Sequence, residues 1–366
     1  MKYSSFDERS LYACARHICQ AVETIKRKIW HRSRFRELLW QAAQKATESG
    51  ARPTALEYYT NCLALLQPDP WKEGAPDVYY EETLPLYTKS AETLWYQGNS
   101  IGALELLQST FSNARTAADK APSWILQSRL FAQRGDSHGA FRSLNSSLSE
   151  LGLEIGETSW EECDIEFWKL RKQLQAVDQD ELLGRPASSD QNITAMGAVL
   201  LESMSASFWT DALLFYQMSL KKIAMHLNKG AFIQIGLGYT QFAMVCIGRF
   251  GEIAFGIEMY SMSQALLRRF EDPGTLGRGL SAGILVIAHL QSPIRDHLPI
   301  IEEALEYSLS SGDRTLSLLC IGVTALLRLS LGEDLTALET YCEYAPEEFP
   351  EWESDLRGAT LIIAVR

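Results

Sequence analysis

Six histidines are the residues of this chain best able to move protons or bind a metal: His17, His31, His138, His226, His289 and His297. None has the two-on-one-helix-face spacing of the H-E-x-x-H kind that brings imidazoles together around zinc. His289 and His297 lie near a possible turn but read as ordinary core or surface histidines. Seven cysteines (Cys14, Cys19, Cys62, Cys163, Cys246, Cys320 and Cys342) are scattered, odd in number and never spaced C-x-x-C. Most sit among apolar neighbours, as reduced thiols of a cytoplasmic protein do, and not as a disulfide framework or zinc site. A phosphate loop of the G-x-x-x-x-G-K-[ST] type is absent. Gly236-Leu237-Gly238 begins like a dinucleotide motif, but the next glycine and the preceding strand are missing. The run from Pro273 to Gly279 lacks a lysine and reads as an interhelical loop. Kinase signatures of the H-R-D or D-F-G type do not occur. The acidic runs Glu161-Glu162-Asp164 and Glu347-Glu348 fit first turns of helices, where the dipole favours negative charge. Thr158 and Ser159 are natural N-caps for the first of these. These residues predict no catalytic group, no cofactor and no metal, and the chain is not expected to be an enzyme.

The 366 residues carry a formal charge of −12, with 46% hydrophobic and 22% charged residues. That balance belongs to a folded chain, long enough for two domains or one long array. An acidic surface repels phosphate backbones and anionic lipid, which argues against nucleic acid and membrane as partners. The basic run Lys26, Arg27, Lys28, Arg32, Arg34 and Arg36 reads as a solvated helix face. The N-terminal stretch MKYSSFDERSLYACARHICQ lacks the apolar region of a signal peptide. The longest apolar run, Gly279 to Leu290, is too short to span a bilayer and contains His289. A cytoplasmic location is expected.

The elements that carry these residues follow one pattern. Apolar residues recur at three-to-four spacing, as at Leu38, Leu39, Ala42, Ala43 and Ala46, or at Leu316, Leu319, Ile321, Ala325 and Leu326. No β-alternation is sustained. Gly50, Gly98, Gly135, Gly230, Gly251 and Gly332 each follow a helical run, as helix-ending glycines do. The turn glycines fall roughly 40 residues apart or at multiples of that, the helix-pair size of solenoids. A repeat template emerges. A small residue stands seven positions before the glycine, another five after it, and a large one four further on. Small residues let two antiparallel helices approach, and the large one fills the gap to the next pair. Ala43, Gly50, Ala55 and Tyr59 make one copy, and Ala91, Gly98, Ala103 and Leu107 a second. Ser128, Gly135, Ala140 and Leu144 make a third, and Ala325, Gly332, Ala337 and Tyr341 a fourth. Met244, Gly251, Gly256 and Tyr260 form a weaker fifth.

The prediction is an all-α fold, an α-solenoid of antiparallel, tetratricopeptide-like helix pairs. It divides into an N-terminal array over residues 1–183, a turn-rich joint over 184–192, and a second array over 193–366. The second array is richer in glycine, which is tolerated where helix backbones pack closely. Trp71, Trp95, Trp124, Trp168 and Trp209 recur in helical contexts, most of them expected between repeats and a few on a concave groove.

Several segments together resemble one family. Ala42 to Trp71 reads AAQKATESGARPTALEYYTNCLALLQPDPW, Leu86 to Leu107 reads LYTKSAETLWYQGNSIGALELL, and Arg134 to Ile155 reads RGDSHGAFRSLNSSLSELGLEI. LLGRPASSDQNITAMGAVL, Leu182 to Leu200, precedes LLFYQMSLKKIAMHLNKG, Leu213 to Gly230. This succession is similar to the helical-repeat region between the AAA-type ATPase module and the GAF domain of large hybrid sensor histidine kinases. The resemblance covers most of the chain, with Leu148 to Ile155 its most specific piece. It implies a non-catalytic regulatory solenoid in phosphorelay signalling, with neighbouring domains or a signalling protein as partner. It carries over no phosphoacceptor, because no histidine here is followed by an acidic residue. It also places the nucleotide-binding loop before Met1 and the GAF and kinase domains after Arg366, so the chain is expected to be a fragment or split product. The alternative is a stand-alone tetratricopeptide adaptor binding peptide segments, with Lys45, Lys89 and Arg129 as groove cations. An enzyme would instead need a deep polar pocket near Ser188 to Asn192.

Overall fold

The structure is a computed structural model that describes residues 8–134, 136–347, 349, 352–355 and 358–366. Among these, every regular element is helical, and the fold is all-α. Ala187 and Ala231 form an isolated parallel β-bridge. No helix among the described residues is long and apolar enough to cross a membrane.

The chain forms two units, Met1–Glu154 and Ile155–Arg366. The division thus falls at Glu154, ahead of the turn-rich 184–192 segment, which lies inside the second unit. The physical reason is the packing of α8 (Trp160–Gln175) and α9 (Gln179–Gly184): α8 packs on a later helix of the second unit, α11 (Ala212–Lys229), and α9 on α13 (Ile253–Phe270).

In the first unit, α1 (Glu8–Lys28) buries Leu11, Ala15, Ile18, Val22 and Ile25, a stripe at alternating spacings of four and three. That stripe packs on α2 (Ser33–Glu48) and α3 (Arg52–Ala64). Further pairs follow, α4 (Tyr80–Tyr96) with α5 (Ser100–Asn113) and α6 (Ala117–Gln133) with α7 (Ser137–Glu150). Each pair stacks on the next through α3 on α4 and α5 on α6. The helix starts are capped by the side chains the local sequence supplies: Asn99, Thr116 and Asp136 each accept a bond from an amide of the first turn.

In the second unit the pairs are α10 (Gln191–Thr210) with α11, α12 (Ile235–Phe250) with α13, and α14 (Pro273–Val286) with α15 (Leu298–Ser311). After them, α16 (Arg314–Ser330) packs against α17 (Leu335–Tyr344) and α18 (Thr360–Val365). Both units therefore stack antiparallel helix pairs in the manner of a solenoid. The Pro273–Gly279 run is not a loop: it is the first half of α14, started by Asp272, whose carboxylate accepts from the Thr275 amide at 2.9 Å. Its glycines are packing residues. A Cβ at Gly279 would stand 2.4 Å from Leu267, and one at Gly236 of α12 would stand 2.7 Å from the same side chain. The helices approach too closely at Leu267 for anything larger. Glu347 follows α17 and does not begin a helix. Its neighbour Glu348 lies outside the described residues.

Candidate interaction surface and buried polar clusters

The template residues occupy the helix interfaces to differing degrees. Ala43, Ala55, Tyr59, Ala91, Ala103, Leu107, Ala140, Leu144 and Ala325 are buried. Gly50, Gly98 and Gly332 turn through positive φ, at 76°, 83° and 77°, a conformation that costs a side chain energy. Gly135 lies outside the described residues. In the fourth copy the pattern changes: Ala337 is exposed, and Tyr341 is half-buried with the Arg328 guanidinium 4.3 Å from its ring. Leu338, one residue on, takes the buried place. Helix α17 is thus turned by about one residue relative to the template.

Five of the seven cysteines are buried, and Cys14 and Cys19 are half-buried. Burial pushes Cys19 up to about 11 and Cys320 up to about 12, and raises Cys62 and Cys246 further. A thiol held this far above its ordinary range is a poor nucleophile at neutral pH. No group of three or more His, Cys, Asp or Glu among the described residues could hold a metal ion.

The basic run is a solvated face only in part: Lys26, Arg27, Lys28 and Arg34 are exposed, but the other two are not. Arg36 is completely buried, and Arg32 nearly so. All five guanidinium N–H groups of Arg36 find acceptors. Nε and Nη2 donate to the Glu82 carboxylate at 2.6 and 2.8 Å. Nη1 donates to Asp77 Oδ2 and Leu65 O, and Nη2 also to Asp77 O. Asp77, in a left-handed conformation at φ 61°, is a hub. Besides Arg36, it accepts from the amides of Arg32 and Ser33, both at 3.0 Å, and from Gln67 Nε2 at 3.1 Å. Its carboxylate therefore caps α2, whose own N-terminal residue offers no side-chain cap. Burial alone would raise the Asp77 pKa, but the bonds from Arg36 and the Arg32 amide outweigh it and hold the carboxyl below its usual range. Burial also works against the Arg36 charge, and its bonds to Glu82 and Asp77 more than restore it.

A second buried cluster lies in the other unit, between α11 and α12. Lys222 is wholly buried, and its Nζ donates to Gln241 Oε1 at 3.1 Å. One turn on, buried His226 meets Tyr239 through Nδ1 at 2.9 Å, while its Nε2 has no partner. Burial, with a contribution from Arg278, drives Lys222 down to about 7. Burial, then Arg185 and Arg269, drive His226 down to about 4.

The surface feature of the second unit is a strip on α8. Trp160, Ile165 and Trp168 are exposed. Trp160, Asp164 and Trp168 recur every four residues and so share one face. Asp164 receives Arg249 Nε and Nη2 at 2.6 and 2.7 Å, a two-pronged bond that also lowers its pKa. That guanidinium lies 4.5 Å from the Trp160 ring. Phe250 stacks on Phe167 at 4.0 Å and meets Trp168 edge-on at 5.1 Å. Ser159 caps α8 through a reciprocal pair of bonds with Glu162. Beside the strip, Thr158, Glu162, Cys163, Glu166, Gln217 and Lys221 line an open groove of about 340 Å³. The four-residue spacing of Trp160, Asp164 and Trp168 was a legible signal of this face; the partner Arg249 was not, because it lies 85 positions on.

The remaining aromatic and basic residues named from sequence are dispersed. Trp71, Trp95 and Trp124 are half-buried, and the Trp209 side chain lies outside the described residues. Lys45 is exposed, Lys89 is engaged by Glu92 at 2.7 Å, and Arg129 is half-buried. The Ser188 amide bonds to Ala231 O at 2.8 Å and ties the 184–192 segment to the turn after α11. No protein-family model matches the chain, and no curated protein is significantly similar to it.

Proposed function

We propose that the chain is a non-catalytic, protein-binding helical-repeat module. In this reading it works as the segment it resembles in hybrid sensor histidine kinases does, coupling an ATPase module to downstream GAF and kinase domains. The observation that supports it best is the α8 strip. Tryptophan and arginine anchors dominate the energetics of protein interfaces. Here Trp160 and Trp168 face solvent while Arg249, Asp164 and Phe250 hold them in place. Anchors fixed before binding lose little side-chain entropy when a partner arrives. The curvature of a helix-pair array follows from the small rotation at each repeat, and a change in it is the proposed route from a bound domain to a kinase.

The test is binding and coupling together. Purified GAF–kinase and ATPase modules of a hybrid sensor kinase of this class are titrated against the full chain and against Trp160→Ala/Trp168→Ala. Loss of two anchors is expected to weaken binding by about 2 kcal/mol or more, roughly 30-fold in Kd. The same double variant, placed in the array of an intact kinase, should alter the rate of histidine autophosphorylation. Neither module binding, and an unaltered rate, would sink the reading.

A further inference from the structure

The Lys222–His226 cluster plays no part in the surface just described, and its chemistry is unusual for a repeat core. An ammonium carries three N–H donors. Lys222 is wholly buried and has one acceptor among the described residues, the neutral Gln241 Oε1. No carboxylate faces its amine. From α14 the facing charge is Arg278, a cation. The nearby acids, Glu202 of α10 and Asp313 ahead of α16, bind that arginine at 3.6 and 2.7 Å. Glu162 and Glu166 of α8 line the groove with Lys221, on the other side of α11. Around His226 the charged groups are again cations: Arg185, which donates to the carbonyls of His226 and Leu227, and Arg269 of α13. Tyr239 of α12 meets its Nδ1, and Nε2 is left bare. Opposite Lys222 stands Gly238, where a Cβ would come within 3.4 Å of the lysine stem. The absent side chain leaves the lysine stem room to lie along α12.

We propose that the α11–α12 packing in the second unit is a proton-operated catch, closed while the Lys222 amine is neutral and released toward solvent when it takes up a proton. A neutral amine carries no charge and two N–H donors, one of them met by Gln241, whereas an ammonium would bring a third donor and a full charge among cations, with water its only remedy. His226 adds a second, more acidic stage through its bare Nε2. The inference stands on the core of the second unit alone and is independent of what the array binds.

The experiment is backbone hydrogen exchange of the full chain, read by mass spectrometry across α11 and α12 and corrected for the intrinsic effect of pH. Because the closed form lacks a proton that the opened form holds, the opening constant of the wild type should fall up to tenfold per pH unit above pH 7, approaching a hundredfold by pH 9. Lys222→Met should flatten this dependence to less than about threefold and leave intact the rise in opening below pH 6.5 that His226 controls. Direct NMR of the Lys222 side chain in the wild-type protein needs no variant and should show titration near neutrality. A Lys222 that titrates in the ordinary lysine range, a wild type without the slope, or a slope that survives in Lys222→Met would each overturn the proposal.

Discussion

Two buried cations, one in each unit, are handled in opposite ways. Arg36 is surrounded by five acceptor atoms, three of them from two carboxylates, so its charge is held more firmly inside the protein than in water. Lys222 has one neutral acceptor and a cationic neighbour, so its charge is driven off. The difference follows from side-chain chemistry. A planar guanidinium spreads its charge over donors that match carboxylate geometry, while a compact ammonium loses its proton readily when water is withdrawn. In the first unit burial of charge builds structure. In the second it leaves a group whose protonation state is open to the solvent pH.

The largest effect expected from breaking this contrast is at Arg36. Arg36→Met strands Asp77 and Glu82 and should destabilise the first unit by about 3–5 kcal/mol, measured by denaturant unfolding. A loss below about 1 kcal/mol would mean that water already satisfies the two acids.

Lys222→Met should act in the other direction. Lys222 falls from an ordinary 10.5 to about 7 in the folded chain. Between those two pH values the unfolded chain holds a proton that the folded one lacks. Wild-type stability therefore rises with pH through that window, and the full penalty is present below it. The methionine variant should be more stable by about 4 kcal/mol at pH 7, with most of the gain gone by pH 10. A destabilised variant at pH 7 would show that Lys222 is held by acceptors and resembles Arg36 after all.

His226 gives a smaller step. Its pKa falls from 6.5 to about 4 on folding. Stability is thus fully present above pH 6.5 and lost as pH drops toward 4, by about 3 kcal/mol. His226→Gln should remove that acid slope in thermal melts run from pH 7 to 4. Gln67→Leu is the gentlest probe. It removes one neutral donor from Asp77 and one from the Trp30 carbonyl, at about 1 kcal/mol.

Much of the architecture was legible in the sequence because helix pairs announce themselves through short-range pattern. The buried stripes of α1 and α2, the turn glycines at 50, 98 and 332, and the small residues Ala43, Ala55, Ala91 and Ala103 all follow from periodicity and turn chemistry. What stayed hidden depends on distant partners. Arg32 and Arg36 read as solvated because Asp77 and Glu82 lie more than 40 positions away. Pro273–Gly279 read as a loop because glycine signals a turn locally, while here Gly279 yields space to Leu267 across a helix interface. Lys222 and His226, one helical turn apart, look like half of a polar face until α12 is laid over them. The division of the chain at Glu154 was hidden for the same reason, since nothing near α8 announces that it packs on α11.

Asp77 also fixes an order of events. It caps α2 from 44 and 45 residues downstream, across the whole of α3 and the turns that follow. A chain emerging from the ribosome has α2 in full before the residue that closes its first turn exists. That turn can form only after a long loop has been closed, an entropic cost met late and slowly in folding. The α2–α3 pair is therefore synthesised early, and its first turn is locked only once Asp77 has followed.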